Sequence, residues 1–531
     1  MEPTTWIHGI GERSNYYWRV DEVRICGSVK SFKDPVHGYV DICGALTSII
    51  DSWIMQRLRS IKQTAFAYMV YHGMEHSRFN HSLGSGHLAG EVINFIAANT
   101  RLYFRSAGGG EFANTLLSSA EVFQLAALVH DVGHLPYSHS SEVGVTEARL
   151  IYKLKGFEKL PLRHEAYTYA LLGIIGEMAE EAGVEPVFTS SVPNDLRLIL
   201  QGSGTRASAL DYGSACAANV LHQLIAGGLD VDRMDYLIRD SIYAGVRYGI
   251  FDVDRLVRVL LASPLLLETS NKSSVEVSKK ACQVMVLDKG VSIIEAFLLA
   301  RFYMFSEVYL HRVVEAYNSI YARLFSVLAR DGLVSVETNA GEIDIPTPES
   351  IEKKKTWALE AWKTLDDVSI SWLIRGVYSN RYRVSKEARQ LATMLVERKH
   401  PKIYHVIEDK QLWGLYTSYL YEGYAPEWAK PLLDELLSLQ NEYPLLMVRP
   451  LRVDVISLSQ LGVYNRSARS ITALGSVENG GSRELRRLQT LAELSLYRIV
   501  VFSQPSLENV TRRAMQILQD LSNEAGKEER K

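Results

Sequence analysis

Val129-His130-Asp131-Val132-Gly133-His134 is the stretch on which the reading of this chain turns. It closes an apolar run, residues 122–132, whose composition predicts a buried helix. An ionised aspartate in such a run is costly unless something offsets its charge. A metal cation does so directly, with Asp131 giving a carboxylate oxygen and His130 a ring nitrogen. A His-Asp dipeptide alone is common by chance, so its weight depends on whether the chain supplies further ligands.

The chain does supply them, in order. His81 lies in Arg78-Phe79-Asn80-His81-Ser82-Leu83-Gly84, ahead of a helix face marked by Leu83, Leu88, Val92, Ile93 and Ile96. Asp232 lies in Leu229-Asp230-Val231-Asp232-Arg233-Met234-Asp235-Tyr236, where Asp232, Tyr236 and Asp240 share one helical face. Asp235 and Arg239 read as a plain i, i+4 surface pair. Two imidazoles and two carboxylates from separate helices suit a divalent ion, and Fe, Mn, Zn, Ni and Mg all stay open. His134 is expected to share the pocket with His130 from one helix; His139 follows the Pro136 turn and His164-Glu165 opens the next helix. Three further histidines beside a metal motif fit general-acid or phosphate-binding roles. Each of them singly fits a helix cap or a polar core residue equally well.

At 531 residues the chain is long enough for a large core and more than one ordinary domain, and 47% hydrophobic residues make it globular throughout. A net charge of −3 gives no general attraction to nucleic acid or membrane. Cys26, Cys43, Cys216 and Cys282 form no Cys-x-x-Cys pair, which excludes a zinc ribbon, and they read as reduced core residues of a cytoplasmic protein. No signal-peptide pattern and no uninterrupted apolar span are expected.

Elsewhere, Asp34-Pro35-Val36-His37-Gly38 reads as turns flanking short extended pieces. A helix is expected over residues 46–62, a loop over 106–112 and a glycine- and serine-rich loop over 201–206. Residues 275–288 read as a β-hairpin, and one long helix as spanning about 293–328. Beyond a turn-rich connector at 334–345, helices are expected at 357–365, 386–396, 428–439 and 509–523, with strands near 445–448 and 497–502. The basic residues Arg375, Arg381, Arg383, Lys386 and Arg389, with Tyr378 and Tyr382, match a solvated face better than a single-strand platform.

The ordered pattern His…His-Asp…Asp resembles the HD phosphohydrolase superfamily. The flanking motifs resemble its deoxynucleoside triphosphate triphosphohydrolases: Asp34 to Gly38, Gln56-Arg57-Leu58-Arg59-Ser60-Ile61-Lys62-Gln63, Arg78 to Gly84, Leu128 to His139 and Leu229 to Tyr236. They are most similar to the branch that includes the vertebrate enzyme with an added SAM domain, a domain without counterpart here. The resemblance runs from about residue 28 to 320 and more weakly to about 405. It implies that His81, His130, Asp131 and Asp232 hold the metal, and that His139, His164 and Glu165 supply an acid and its orientation. It implies phosphate and sugar contacts from Gln63, Arg78, Arg233, Tyr236, Asp240, Arg301 and Tyr309, with Tyr309 against the sugar 2′ carbon. Arg233 stands where the family more often has Lys. Asp51 and Arg59, eight residues apart on one expected helix, match a guanine-reading pair between subunits, and Arg398 and Lys402 a phosphate-contacting segment. Lys33 stands where that branch has Asn, which weakens the match to its second nucleotide site.

The expectation is a mainly α fold: an HD-domain helical bundle with a short β-hairpin at 29–335, preceded by an N-terminal segment, 1–28. A C-terminal α+β region follows at 349–523, as an oligomer contact, with a charged tail at 524–531. The expected function is metal-dependent hydrolysis of dNTPs to deoxynucleoside and inorganic triphosphate by a homo-oligomer, dimer or tetramer, with a guanine-nucleotide activator and neither membrane nor nucleic acid as partner. The alternatives are an HD phosphohydrolase for another nucleotide or phosphate ester, and a non-catalytic oligomer that binds nucleotide or nucleic acid.

Overall fold

The computed structural model describes residues 28–202, 210–264, 282–453, 461–467, 470–473, 483–492 and 494–528. The segment 1–27, most of the glycine-rich loop at 201–206 and the first half of the expected 275–288 hairpin lie outside these residues. The fold is mainly α. At its centre is the helix Arg78–Tyr103, which packs against Ala120–Val129, Val231–Ala244 and the hairpin Val29–Asp34/Gly38–Cys43. This helix is buried on most sides, with Leu83, Leu88, Val92, Ile93 and Ile96 in the core and Arg78, His81 and His87 buried among polar partners.

Several expected elements differ in detail, each for a local reason. Residues 46–62 form the short helices Thr47–Ile50 and Trp53–Arg57 with 3-10 turns around them. Ser52 is extended at φ −67°, ψ 154° and restarts the chain, while apolar spacing persists because both pieces face one core. Asp51 and Arg59 therefore do not share one helix. The loop expected at 106–112 is largely the start of the helix Gly109–Ser118. The long helix expected over 293–328 is Val291–Tyr303, then a widened π-helical turn, Met304–Tyr309, then Arg312–Arg330. Such widened turns commonly mark functional positions, and this one carries Tyr309.

Val284–Leu287 is the described part of the expected hairpin, and it pairs antiparallel with Leu260–Ala262. On its other side it pairs in parallel with Gly462–Asn465, so the C-terminal region donates a strand to the body. A second sheet is fully antiparallel, in the order Ile403–Glu408, Leu496–Ser503, Met447–Val453. Its central strand faces two ways. Val500 and Phe502 join the main core, which extends through Trp362 and Leu395, while Ile499 and Val501 join a second cluster with Leu412, Leu433 and Leu518. Buried Arg323 bridges the two: it bonds Glu147 and the carbonyls of Gln440, Pro444 and Leu446.

Among the described residues the cysteines are not reduced. Cys216 and Cys282 form a disulfide between the helix Tyr212–Ala226 and the residue just ahead of Val284–Leu287, and Cys43 is disulfide-bonded as well. Among the described residues no single helix is long and apolar enough to cross a membrane.

Candidate functional site

A cavity of about 690 Å³ opens where the His81, His130 and Asp232 segments meet. His81 comes from the second turn of Arg78–Tyr103 and Asp232 from the first turn of Val231–Ala244. His130 and Asp131 sit just past the last residue of Ala120–Val129, in a turn rather than within the helix. That helix end frees them to point into the cavity. Gly133 follows because the chain there crosses the next helix closely: a Cβ would lie 2.3 Å from the His164 carbonyl oxygen. This approach stacks His134 on His164, ring centroids 3.5 Å apart.

The four expected ligands converge. His81 Nε2 lies 3.0 Å from Asp232 Oδ1 and 3.7 Å from Asp131 Oδ2. His130 Nε2 lies 3.5 Å from both Asp131 Oδ1 and Asp232 Oδ1, and 3.4 Å from His81 Nε2. Donors bound at about 2.1 Å to one ion are separated by roughly 3.0–3.4 Å in octahedral or tetrahedral arrangements, so these spacings fit one cation. The outer ring nitrogens fix the tautomers. His130 Nδ1 donates to the Ala127 carbonyl at 2.8 Å and His81 Nδ1 to Asp235 Oδ2 at 2.8 Å. Both Nε2 lone pairs then face the shared point, an arrangement that a cation relieves.

Charge around the cluster is consistent with that role. Burial alone would raise Asp131, but His130, Arg78 and His134 hold it well below the usual carboxylate range. Burial alone would lower His81; with only protein groups around it, Asp232 and Asp235 outweigh burial and raise it to about 10. The ordinary fate of this donor set is therefore either to hold protons between its carboxylates or to exchange them for a metal.

Beside it lies a second cluster, His134, His139, Glu142 and His164, with ligand-capable atoms within 4.8 Å of one another. Glu142, which the sequence reading missed, is its pivot. It accepts from His139 Nδ1 at 2.9 Å, His164 Nδ1 at 3.0 Å and the His164 backbone N–H at 2.9 Å. Glu165, the expected orienting carboxylate, stands 3.6 Å from His164 Nδ1. The spacing His139-x-x-Glu142 at the start of a helix was the available signal. The stacked His134 and His164 rings both bring Nε2 toward Asp131 Oδ1, at 3.3 and 3.7 Å, so this cluster adjoins the first one directly. Burial, then Arg78 and His164, hold His134 well below its ordinary pKa, hence neutral. Enclosure depresses His139, but Glu142 outweighs it and raises the group. Burial would raise Glu142, yet His139 and His164 hold it well below the carboxylate range.

Gln63, Arg78, Arg233, Tyr236, Asp240 and Tyr309 all line the cavity. Asp240 accepts from Tyr309 Oη at 2.6 Å and pairs with His76 Nε2 at 2.7 Å. Among the described residues, Gln63 Oε1 and Thr64 Oγ1 have no protein partner at this wall. Arg78 is largely engaged: it bonds Asp131, Ser138 Oγ at 2.7 Å and the Gln63 carbonyl at 3.2 Å. Arg233 bonds Asp230 and the Gly227 carbonyl. Arg163, unforeseen, is exposed on the cavity directly ahead of His164. Arg301 is not a lining residue; it is buried with its guanidinium 4.7 Å from the Phe305 ring centroid. None of Asp51, Arg59, Arg398 and Lys402 lines the cavity. Asp51 and Lys402 are exposed, Arg59 lies 3.7 Å over the Phe79 ring, and Arg398 bonds the Met69 carbonyl.

Asp235 and Arg239 overturn their surface-pair reading: both are fully buried, bonded to each other at 2.8 and 2.9 Å. Gly84 makes room for them, since a Cβ there would meet Asp235 Oδ1 at 1.9 Å.

With this geometry in hand, the comparisons with known proteins are informative. The chain is 32% identical over 246 residues to the deoxynucleoside triphosphate triphosphohydrolase SAMHD1 of Danio rerio, which is 43% of this chain and 36% of that protein. Part of this chain is homologous to HD-domain dNTP triphosphohydrolases. The chain is also 31% identical over 297 residues to the uncharacterized protein YwfO of Bacillus subtilis, 56% of this chain and 55% of the relative. It thus spans about half the length, or less, of the curated relatives it matches. The solved structure of a phosphohydrolase from Bacteroides thetaiotaomicron superposes with a TM-score of 0.57 over 90% of this chain and 100% of that one, at 23% identity, which establishes a shared fold. No family model matches the chain. His81, His130 and Asp232 form a group able to hold a divalent metal, with Asp131 adjoining it.

Proposed function

We propose that this protein is a metal-dependent phosphohydrolase that cleaves deoxynucleoside triphosphates to deoxynucleoside and inorganic triphosphate. The observation that carries the reading is the convergence of His81, His130 and Asp232, with Asp131 adjoining them, beside a Glu142-centred histidine cluster in the same cavity. The named activity of the SAMHD1 relative supports the substrate class. A cation held by the four donors lowers the pKa of a bound water and polarises the α-phosphate.

The protein groups divide the remaining work. The water oxygen bonds to the α-phosphorus as the bond from that phosphorus to O5′ breaks. His139, kept protonated by Glu142, gives its proton to O5′ and regains one from the water through solvent. Arg163 and Arg233, which line the cavity, offset the triphosphate charge. Gln63, Asp240 and Tyr309 hold the sugar. The cavity volume lies in the range of small-ligand sites.

The test is a panel of dNTPs and NTPs incubated with metal-loaded protein, with product identification and metal analysis of the same sample. Deoxynucleoside with intact triphosphate supports the reading. Release of orthophosphate or pyrophosphate moves the cleaved bond; turnover of another phosphate ester alone moves the substrate class.

A further inference from the structure

We propose that the turn Asp34-Pro35-Val36-His37-Gly38 is a positioning element for the metal ligand His81, acting through Asp235. The inference rests on the metal-site reading above, not on the identity of the substrate.

The chain of contacts is buried and continuous. Asp34 shapes the turn: its Oδ1 accepts the N–H groups of Val36 at 2.8 Å and His37 at 2.9 Å. Pro35 has no N–H to compete, and Gly38 supplies the left-handed residue at φ 74°. The turn then makes two separate connections to Val231–Ala244. Asp34 receives Arg239 Nη1 at 2.9 Å and Nη2 at 3.3 Å. His37 Nε2 reaches Asp235 Oδ1 at 2.7 Å. Asp235 is the shared terminus, taking His37 on Oδ1, Arg239 on both oxygens and His81 Nδ1 on Oδ2.

Asp235 touches no presumed ion itself, so its effect passes through the imidazole. By accepting the Nδ1 proton it fixes the tautomer whose Nε2 lone pair faces the donor cluster, and it fixes the ring plane. Arg239 is shared between Asp235 and Asp34. The added bond from His37 pins Oδ1 and ties the ring orientation of a metal ligand to a hairpin 44 residues earlier in sequence. This gives the Asp-Pro-Val-His-Gly motif a role that no contact with substrate requires: His37 does not line the cavity.

Full-length His37→Ala, His37→Gln and Asp235→Asn are compared with wild type after loading with manganese or cobalt(II). Far-ultraviolet circular dichroism and thermal melts establish folding. Metal stoichiometry, metal loss to a chelator and the cobalt(II) visible spectrum report the site without reference to turnover. Folded His37→Ala and Asp235→Asn are expected to hold metal roughly 10- to 100-fold less tightly with an altered cobalt spectrum, and His37→Gln, which keeps a donor at similar reach, to recover most of the affinity. Folded His37→Ala with wild-type affinity and spectrum overturns the proposal, as does a wild type that takes up no metal. If Asp235→Asn does not fold, His37→Ala decides, because Arg239 still pairs with both aspartates there. Metal-loaded wild type that turns over no dNTP sinks the substrate reading and leaves this one standing.

Discussion

His139 Nδ1 lies 2.9 Å from Glu142 Oε2, one helical turn apart at the mouth of the cavity. The pair sets the proton state of the candidate acid. Glu142 raises His139 above the ordinary histidine value, so the proton is held to higher pH than on a free imidazole. Replacing Glu142 by Gln removes the charge that favours imidazolium, and the His139 pKa falls. The alkaline limb of kcat/KM against pH should then move to lower pH, with a loss on the alkaline side that recovers as the pH is lowered. An unshifted limb would show that His139 is not the group that titrates in catalysis.

The grouping of the candidate ligands was legible because their motifs carry order and spacing together: His81, His130-Asp131 and Asp232 each stand at a helix end. The network behind them was not. Helical periodicity places Asp235 and Arg239 on a face of Val231–Ala244 but does not say that Asp34 and His81 occupy the other side. Only Gly84, with no Cβ to block the approach, hinted at a close partner. Glu142 was within reach of sequence logic, since His139 needed an acceptor three or four residues on. The widened turn at Met304–Tyr309 was not, because an apolar run reads alike through α and π helix. The Cys216–Cys282 pairing spans 66 residues and follows from strand placement alone.

Arg323 carries a stability prediction. Its side chain is fully buried; it pairs with Glu147 at 2.7 Å and donates to the carbonyls of Gln440, Pro444 and Leu446 at 3.0–3.1 Å. Arg323→Met leaves a buried carboxylate and three carbonyls without that donor. A loss of about 3–5 kcal/mol is expected, measured by denaturant unfolding. Arg323→Met combined with Glu147→Leu should recover part of it, because the unpaired charge is gone. Equal losses in the single and double variants would mean that the carbonyl contacts, not the ion pair, dominate.

The disulfide predicts a redox-dependent stability. Closing a 66-residue loop restricts the unfolded chain by roughly 4 kcal/mol on the chain-entropy estimate. Cys216→Ser should approach that loss, and reductant should lower the melting temperature of the wild type but have less effect on the variant. Thiol mapping of the denatured protein without reductant should find neither Cys216 nor Cys282 free. Readily titrated thiols in freshly prepared, unreduced protein would contradict the pairing.

Tyr309 carries the prediction on sugar choice. Its hydroxyl donates to Asp240 Oδ2 at 2.6 Å, and His76 holds the other carboxylate oxygen at 2.7 Å, so the phenol is fixed against the cavity wall 6.3 Å from the Tyr236 ring. If the ring excludes a 2′ hydroxyl by occupying its space, bulk and hydrogen bond have separable effects. Tyr309→Phe keeps the ring and frees Asp240 Oδ2, so deoxy selectivity should persist while KM rises. Tyr309→Ala removes the ring, and ribonucleotide turnover relative to deoxyribonucleotide should rise at least tenfold, about 1.4 kcal/mol of lost discrimination. Matched kcat/KM values for dGTP and GTP, and for dATP and ATP, decide it. An unchanged ratio in Tyr309→Ala, with the protein folded and metal-loaded, would place sugar selection on another residue of the cavity.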